Sequence, residues 1–415
     1  MKGKIIAVAM AATVAATMFT GCGGRKKDEL VIWWPSGVTM TKIIEDAVKR
    51  YSEGHEGFQA KIVYKAMDAF DAYKYALNDD KTRPDVAILD HVYVQALAHD
   101  KLLLNLSEKG ADGIKADYPA AIYEANCYNG NAYALPFSAN TVVLMYNKDI
   151  LKACGLTDAE GNAQPPATME ELLDACGAIS SKGYTAFAQP LDDFSAMEFT
   201  SYVARRGGSL VSDDYKRVLL ESEEVKSAVT DWKNLSSYVN TASYEEDKFY
   251  TGKVAFVEMG SWALSKVTGS SRRFDCGIAE MVKCNTDEEN YSGLGLYSLC
   301  VAEKSVDQDG AYEFAKFLST DKQVQLAFNK EKNLFPVTHE ALEDEYYTSD
   351  PMLSVYARQL KKVAPRPGTP VWPDIEQAVV NMLRSVVLTP PGNDYLSLIS
   401  RYQQSAQEAT DRLFK

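Results

Sequence analysis

The chain has 415 residues, 57 of them acidic and 44 basic, for a formal charge of −13. An acidic chain with no basic block excludes nucleic acid as a partner. An apolar share of 46% supplies real cores, and the length suits two domains of ordinary size.

Residues 1–21 read as an export signal. Lys2 and Lys4 give a positive start, residues 5–19 an uncharged apolar run, and Phe19-Thr20-Gly21-Cys22 ends in a small residue and a cysteine. The run is shorter than the about 20 residues that a bilayer span needs, and no later stretch qualifies. The tetrapeptide resembles the lipobox of bacterial lipoproteins, with Phe19 where leucine is usual, and that resemblance implies acylation at Cys22. Residues 23–29 then form a polar tether. Loss of the first 22 residues removes two lysines and no acid, which moves the charge to −15.

Residues 30–34 read as a buried strand, followed by a helix with Ile43, Ile44, Ala47, Val48 and Tyr51 on one face. Strands at 58–64 and 84–90 alternate with a helix at 68–77, the pattern of a mostly parallel sheet, in which ligands bind beyond the carboxyl ends of strands. Trp33, Trp34 and Asp90 stand at such ends. Each has a plainer role open to it, as lid of a core or, for Asp90, as helix cap. His91 reads as a solvated residue at a helix start.

Residues 128–151 carry a turn at Asn129 and Gly130, a strand ending at Leu135, a break at Pro136 and a second strand at 141–146. Proline lacks an N–H and is excluded from sheet interiors. The two strands therefore belong to different sheets, with 138–143 crossing between two units and Asn140 facing the space between them; an ordinary hairpin loop with the same proline is the alternative.

The second unit runs from that crossing to about residue 274. Thr168 and Glu171 have capping-box spacing. Residues 185–189 form a strand ending at Gln189. The run 249–264 reads as strand, glycine, capping Ser261 and helix, with Trp262 in the first turn, where free N–H groups face outward. Residues 276–282 return as a strand, and the Gly-rich entry at 291–299 offers Tyr297. A third crossing is expected at 319–325. Near the end, four prolines in residues 365–373 stiffen a segment that presents Trp372. Rigid presentation suits a stacking ring, since little entropy remains to be lost on binding.

Besides Cys22 there are six cysteines: Cys127, Cys154, Cys176, Cys276, Cys284 and Cys300. No C-x-x-C pair or neighbouring histidine gives metal-site spacing, so no metal is expected. An even number permits disulfides, with Cys276 and Cys284 closest in sequence. Cys176 on an apolar helix face and Cys300 in an apolar strand favour reduced cysteines acting as small hydrophobes.

The run YNG-x-x-Y-x-LPFSANT-x-x-L-x-YNKDI, the F-x-x-GK-x-A segment ending in GSWA at 260–263, the A-x-x-F-x-KFLS segment at 311–319 and the PRP-x-x-P-x-W-P run at 365–373 resemble one family along most of the mature chain. It is the sugar-binding, maltose-binding-protein-like branch of extracellular solute-binding proteins family 1, receptor subunits of ABC importers. The resemblance implies an α/β, two-lobed periplasmic-binding-protein-like fold with three hinge crossings. Lobe 1 would take 30–138 plus 283–319, and lobe 2 would take 139–282 plus 320–415. It also implies a monomer anchored on the outer face of the bacterial membrane by lipid, which needs no cofactor and hands a carbohydrate to an ABC permease.

A pyranose offers C–H faces that lie well on aromatic rings and hydroxyls that must be hydrogen-bonded once out of water. The candidate ligand set is therefore Trp33, Trp34, Asp90, Asn140, Gln189, Trp262, Tyr297 and Trp372, with no catalytic residue. Tryptophan beside a carboxylate could equally hold a cation, so a polyamine receptor stays open. A ferric receptor is a second rival, through Tyr346 and Tyr347, and a glycoside hydrolase with paired carboxylates is a third.

Overall fold

The computed structural model describes residues 29–67, 70–192, 194–239, 246–285 and 288–415. The expected export signal, Cys22 and the tether up to residue 28 lie outside the described residues. Among those described, no helix is long and apolar enough to cross a membrane.

The strands are β1 (Leu30–Trp34), β2 (Ala60–Tyr64), β3 (Val86–Asp90), a small hairpin of β4 (Cys127–Tyr128) and β5 (Asn131–Ala132), then β6 (Ala134–Asn147), β7 (Thr185–Ala188), β8 (Val254–Gly260), β9 (Cys276–Ala279), β10 (Ser292–Val301) and β11 (Val363–Pro365). All but the hairpin join in the order β2-β1-β3-β10-β6-β8-β7, with β11 added on β10 and β9 on β6. The parallel pairs lie toward the two ends, β1 with β2 and β3, and β7 with β8. The strands in the middle are antiparallel, apart from the short β11, which runs parallel to β10. Tight alternation of strand and helix builds each end, and β6 and β10 carry the chain between them.

Pro136 does not split this region into two strands. β6 is one strand of 14 residues, nearly all buried. Its first half pairs with β10 and its second half with β8 and β9. Pro136 faces Ser298 where the register slips between Tyr297 and Ser298, so the missing N–H falls at a bulge, the one place inside a sheet that tolerates it. The change of partner comes at residues 141–142, inside the stretch read as a crossing.

Two large cores and a smaller one flank this sheet. The first joins β1, the helix Val38–Gly54, β6 and the helices Gln308–Thr320 and Lys322–Lys332. Arg50 on the helix Val38–Gly54 pairs with Asp321 at the head of the helix Lys322–Lys332, so this helix packs on the β1 end of the molecule. The second core gathers Trp232, Trp372, Phe187, Phe199 and Leu383 at the β7 end. The third lies on the other face of β1 and β3, around Trp33, Tyr73 and Leu97. At the helix Met169–Ser181, Thr168 Oγ1 caps the Glu171 N–H as expected, while the Glu171 carboxylate accepts from Ala167 rather than from Thr168. All six described cysteines are free.

Candidate functional site

β3 and β11 lie against the same edge of β10 and run toward each other. β3 is antiparallel to β10, with Asp90 opposite Tyr297; β11 is parallel to it, with Pro365 opposite Leu294. Their carboxyl ends therefore meet beside Gly295 and Leu296. On the other edge of β10, Tyr297 faces Ser138 and Gly295 faces Asn140. Alternate residues of a strand share a face, which puts Asp90, Tyr297, Asn140 and Val142 on one side of the sheet at its centre. Gly295 has a specific reason to be glycine: a Cβ there would sit 2.1 Å from Asn140 Oδ1, so its absence lets the amide lie across the strand.

Trp262 closes this face. It stands in the short turn Ser261–Ala263 directly after β8, and its ring folds back over Gly260, where a Cβ would come within 1.8 Å of it. Phe194, the first residue of the helix Phe194–Arg205, meets the ring edge-on at 5.8 Å. With Val142, Met197 and Met281 the two rings form an apolar patch distinct from the cores. Ser261 is not the cap; Gly260 takes that position, and the Ser261 hydroxyl donates to the Asn333 carbonyl.

Charge is concentrated where the strand ends meet. Arg366 Nη2 donates to both oxygens of Asp90, at 3.0 and 3.1 Å, and Nη1 reaches Glu376 Oε1 at 3.4 Å. Asp90 also accepts from the Val92 N–H at 3.2 Å, so it caps the following turn while it pairs. His91 Nδ1 lies 2.9 Å from Asp90 Oδ1 and 3.3 Å from the Leu296 carbonyl. Both neighbours are acceptors, so this nitrogen carries the hydrogen. The three charged side chains are 25%, 11% and 19% exposed for Asp90, Arg366 and Glu376. Burial pushes the Asp90 carboxyl upward, but the Arg366 guanidinium and the His91 and Val92 hydrogen bonds outweigh it and hold the carboxyl well below its usual range. Burial raises the Glu376 carboxyl above its usual value against the pull of Arg366. The guanidinium is thus committed first to Asp90.

Of the eight residues read as ligand contacts, the structure brings Asp90, Asn140, Tyr297 and Trp262 together and takes the other four elsewhere. Trp33 and Trp34 are neighbours on a central strand, so they point to opposite faces, and both faces are covered. Trp33 packs on Tyr73 at 5.0 Å beneath the Lys65 ammonium. Trp34 donates its indole N–H to the Met40 carbonyl at 2.9 Å and lies between Phe137 and Phe328. Gln189 donates to the Trp232 carbonyl inside the second core. Trp372 is fully buried there, because the proline run delivers it to the start of the helix Trp372–Leu388 with its ring turned inward. His91 is likewise buried rather than solvated. Sequence reasoning missed Arg366, Glu376, His91 and Phe194. The available signal was an arginine isolated between prolines, the one charge in a stretch otherwise built for stiffness.

The profile of the bacterial extracellular solute-binding protein family matches residues 46–354. A maltotriose-binding protein of Pyrococcus abyssi is 23% identical over 398 residues, 92% of this chain and 82% of that protein. The sn-glycerol-3-phosphate-binding periplasmic protein of Salmonella typhimurium is 27% identical over 270 residues, 60% of this chain and 59% of its own length. Among solved structures, a cyclic alpha-maltosyl-1,6-maltose binding protein from Arthrobacter globiformis superimposes with a TM-score of 0.81 at 22% identity, covering 94% of this chain and all of that one. The sugar-binding protein of Xanthomonas citri gives 0.80 at 18% identity, over 92% and 98%. At such identities these superpositions speak for a shared two-lobed α/β fold.

Proposed function

Because the chain belongs to the bacterial extracellular solute-binding protein family, we propose that it captures a carbohydrate, specifically an oligosaccharide, between two lobes and delivers it to an ABC permease. The family consists of binding proteins, not enzymes, and works outside the cytoplasm, which sets aside the glycoside hydrolase. The proposal extends to a monomer held at the membrane through Cys22. In the ligand set we retain Asp90, Asn140, Tyr297 and Trp262 and add Phe194. For the lobes we retain the boundaries at 138–139 and 282–283. The packing of the helix Lys322–Lys332 on the helix Val38–Gly54 supports a last boundary beyond residue 332.

One observation carries the choice of carbohydrate: an aromatic patch of Trp262 and Phe194 stands at the end of a strip of acceptor and amide groups whose carboxylates already engage Arg366. A partly buried indole suits the C–H face of a sugar ring, while Asp90 and Asn140 suit its hydroxyls. A polyamine needs an uncommitted carboxylate, whereas Asp90 is bound by Arg366 through both oxygens and Glu376 meets the same guanidinium at 3.4 Å. A phosphate ester needs an uncommitted cation, and Arg366 faces two acids. The ferric reading loses its ligands, since Tyr347 is buried beside an exposed Tyr346. The carbohydrate names of the Pyrococcus abyssi relative and of both structural neighbours support the same reading.

The test is a thermal-shift screen of the mature protein against neutral mono- and oligosaccharides, spermidine, sn-glycerol 3-phosphate and ferric citrate. A ligand that binds only the folded chain raises its melting temperature, by an amount that grows with concentration over Kd. A shift with an oligosaccharide and none with the charged probes is expected; a shift confined to a charged probe overturns the carbohydrate reading.

A further inference from the structure

The head-on meeting of β3 and β11 needs a physical account. β3 is anchored through β1 in the first half of the sheet, whereas β11 leads through residues 366–371 into the helix Trp372–Leu388 of the second core. Two strands from different halves thus end against each other on one edge of β10, and Arg366 and Asp90 occupy the junction. The contact extends past the ion pair. Val92, two residues after Asp90, is buried in the second core with Val371, and a Cβ at Gly368 would lie 3.2 Å from Gln95 Nε2.

We propose that Asp90, Arg366 and Glu376 form an ionic tie between the lobes, in which Arg366 positions the Asp90 carboxylate and favours the closed cleft. The inference rests on the two-lobed receptor reading and adds a term to it. Closure is not driven by ligand contacts alone, because the protein bridges its own cleft with a charged pair. A ligand shifts a conformational equilibrium only by its differential affinity for the two states, so any closure already favoured by the tie reduces what the ligand must supply. Arg366 is a positioning residue here: it acts through Asp90, holding Oδ2, the carboxylate oxygen that the Val92 N–H and His91 do not hold. Its planar fork, with one nitrogen on Asp90 and another toward Glu376, is a geometry a lysine cannot reproduce.

The experiment measures the distance between the lobes without any sugar. Fluorophores carried by unnatural amino acids at Tyr75 and Leu388, both highly exposed, avoid the six native thiols. The expected result for Arg366→Gln is a shift of the energy-transfer distribution toward longer distances, with Arg366→Lys in between. Asp90→Asn combined with Arg366→Gln should open the molecule no further than Arg366→Gln alone, since the two remove one tie. Against whichever oligosaccharide the thermal screen finds, Arg366→Gln should lose roughly tenfold or more in affinity, and Arg366→Lys should recover part of it. A distance distribution in folded Arg366→Gln that matches the wild type overturns the tie and leaves the receptor reading untouched. No binding of any carbohydrate overturns the receptor reading, while the distances still decide the tie. Should Arg366→Gln fail to fold, Arg366→Lys and Asp90→Asn carry the same comparison.

Discussion

Replacing Trp262 and replacing Trp372 by alanine are expected to give opposite phenotypes, although the two rings look equivalent in the sequence. Trp262 is only partly buried and packs on Phe194 beside the strip of polar groups, so Trp262→Ala should abolish the ligand-induced rise in melting temperature while the protein still folds. Trp372 is sealed in the second core. Its truncation leaves a cavity and should cost about 3–5 kcal/mol, read as a lower denaturant midpoint. A protein that loses binding but no stability in Trp372→Ala would show that the ring faces ligand after all. Asp90 gives a third outcome, in pH. Its carboxyl is depressed in the folded chain, so the ionised form contributes stability that is complete above the unfolded value near about pH 4 and drains away as pH falls toward the folded value. The stability lead of wild type over Asp90→Asn should therefore hold at neutral pH and shrink on acidification below about pH 4. Urea melts across that range read it directly, and a lead that stays constant would mean the ion pair with Arg366 does not form in solution.

At the level of elements, the placement of the site depends on close approach between strands. In Gly295→Ala the new methyl would meet the Asn140 amide at 2.1 Å. That amide ends a rotatable side chain, so the strand need not break. The expected result is a folded protein, destabilised by about 1 kcal/mol or less, with its Asn140 contact displaced and its ligand weakly bound. Adding Asn140→Ala should then cost little more, and fully additive losses in affinity would place Asn140 outside the site. The same strands explain what was legible in the sequence. The positions of Asp90 at the end of β3 and of Trp262 in the turn after β8 were legible because each follows a hydrophobic run and turn written locally. The fate of Trp34 was not, because the helix that covers it, Lys322–Lys332, lies some 290 residues away in the chain, a distance no periodicity reports. Pro136 misled for a different reason: the rule that excludes proline from sheets is right, but the extra residue that makes the bulge, Phe137 beside it, is revealed only by the pairing with β10. Arg366 was hidden by its own surroundings, since four prolines drew the reading toward Trp372.

For the molecule as a whole, the proposed lipid anchor can be weighed against the charge of the chain. With residues 1–22 removed as proposed, the formal charge would be −15, and anionic lipid repels such a body within a Debye length of about 8 Å. Residues 23–29, the proposed tether, offer Arg25, Lys26 and Lys27 but also Asp28 and Glu29, and basic residues contribute only about 1 kcal/mol each at an anionic surface. Electrostatics therefore cannot hold it. Acyl chains can: each buried methylene contributes about 0.8 kcal/mol, and two chains give stable anchoring where one is marginal. Cys22 is the position where such chains would attach. The wild-type protein, expressed in a bacterial host, is accordingly expected to stay with membranes through a high-salt wash and to leave them only with detergent. Cys22→Ala should either accumulate unprocessed or appear as soluble extracytoplasmic protein that binds its ligand as well as before. Release of the wild-type chain by salt alone would remove the lipid anchor from the account. The proposed anchor also bears on the proposed transport role, because a tethered receptor would meet a permease at an effective concentration fixed by tether length rather than by abundance. The soluble variant should then support uptake far less well at equal ligand affinity.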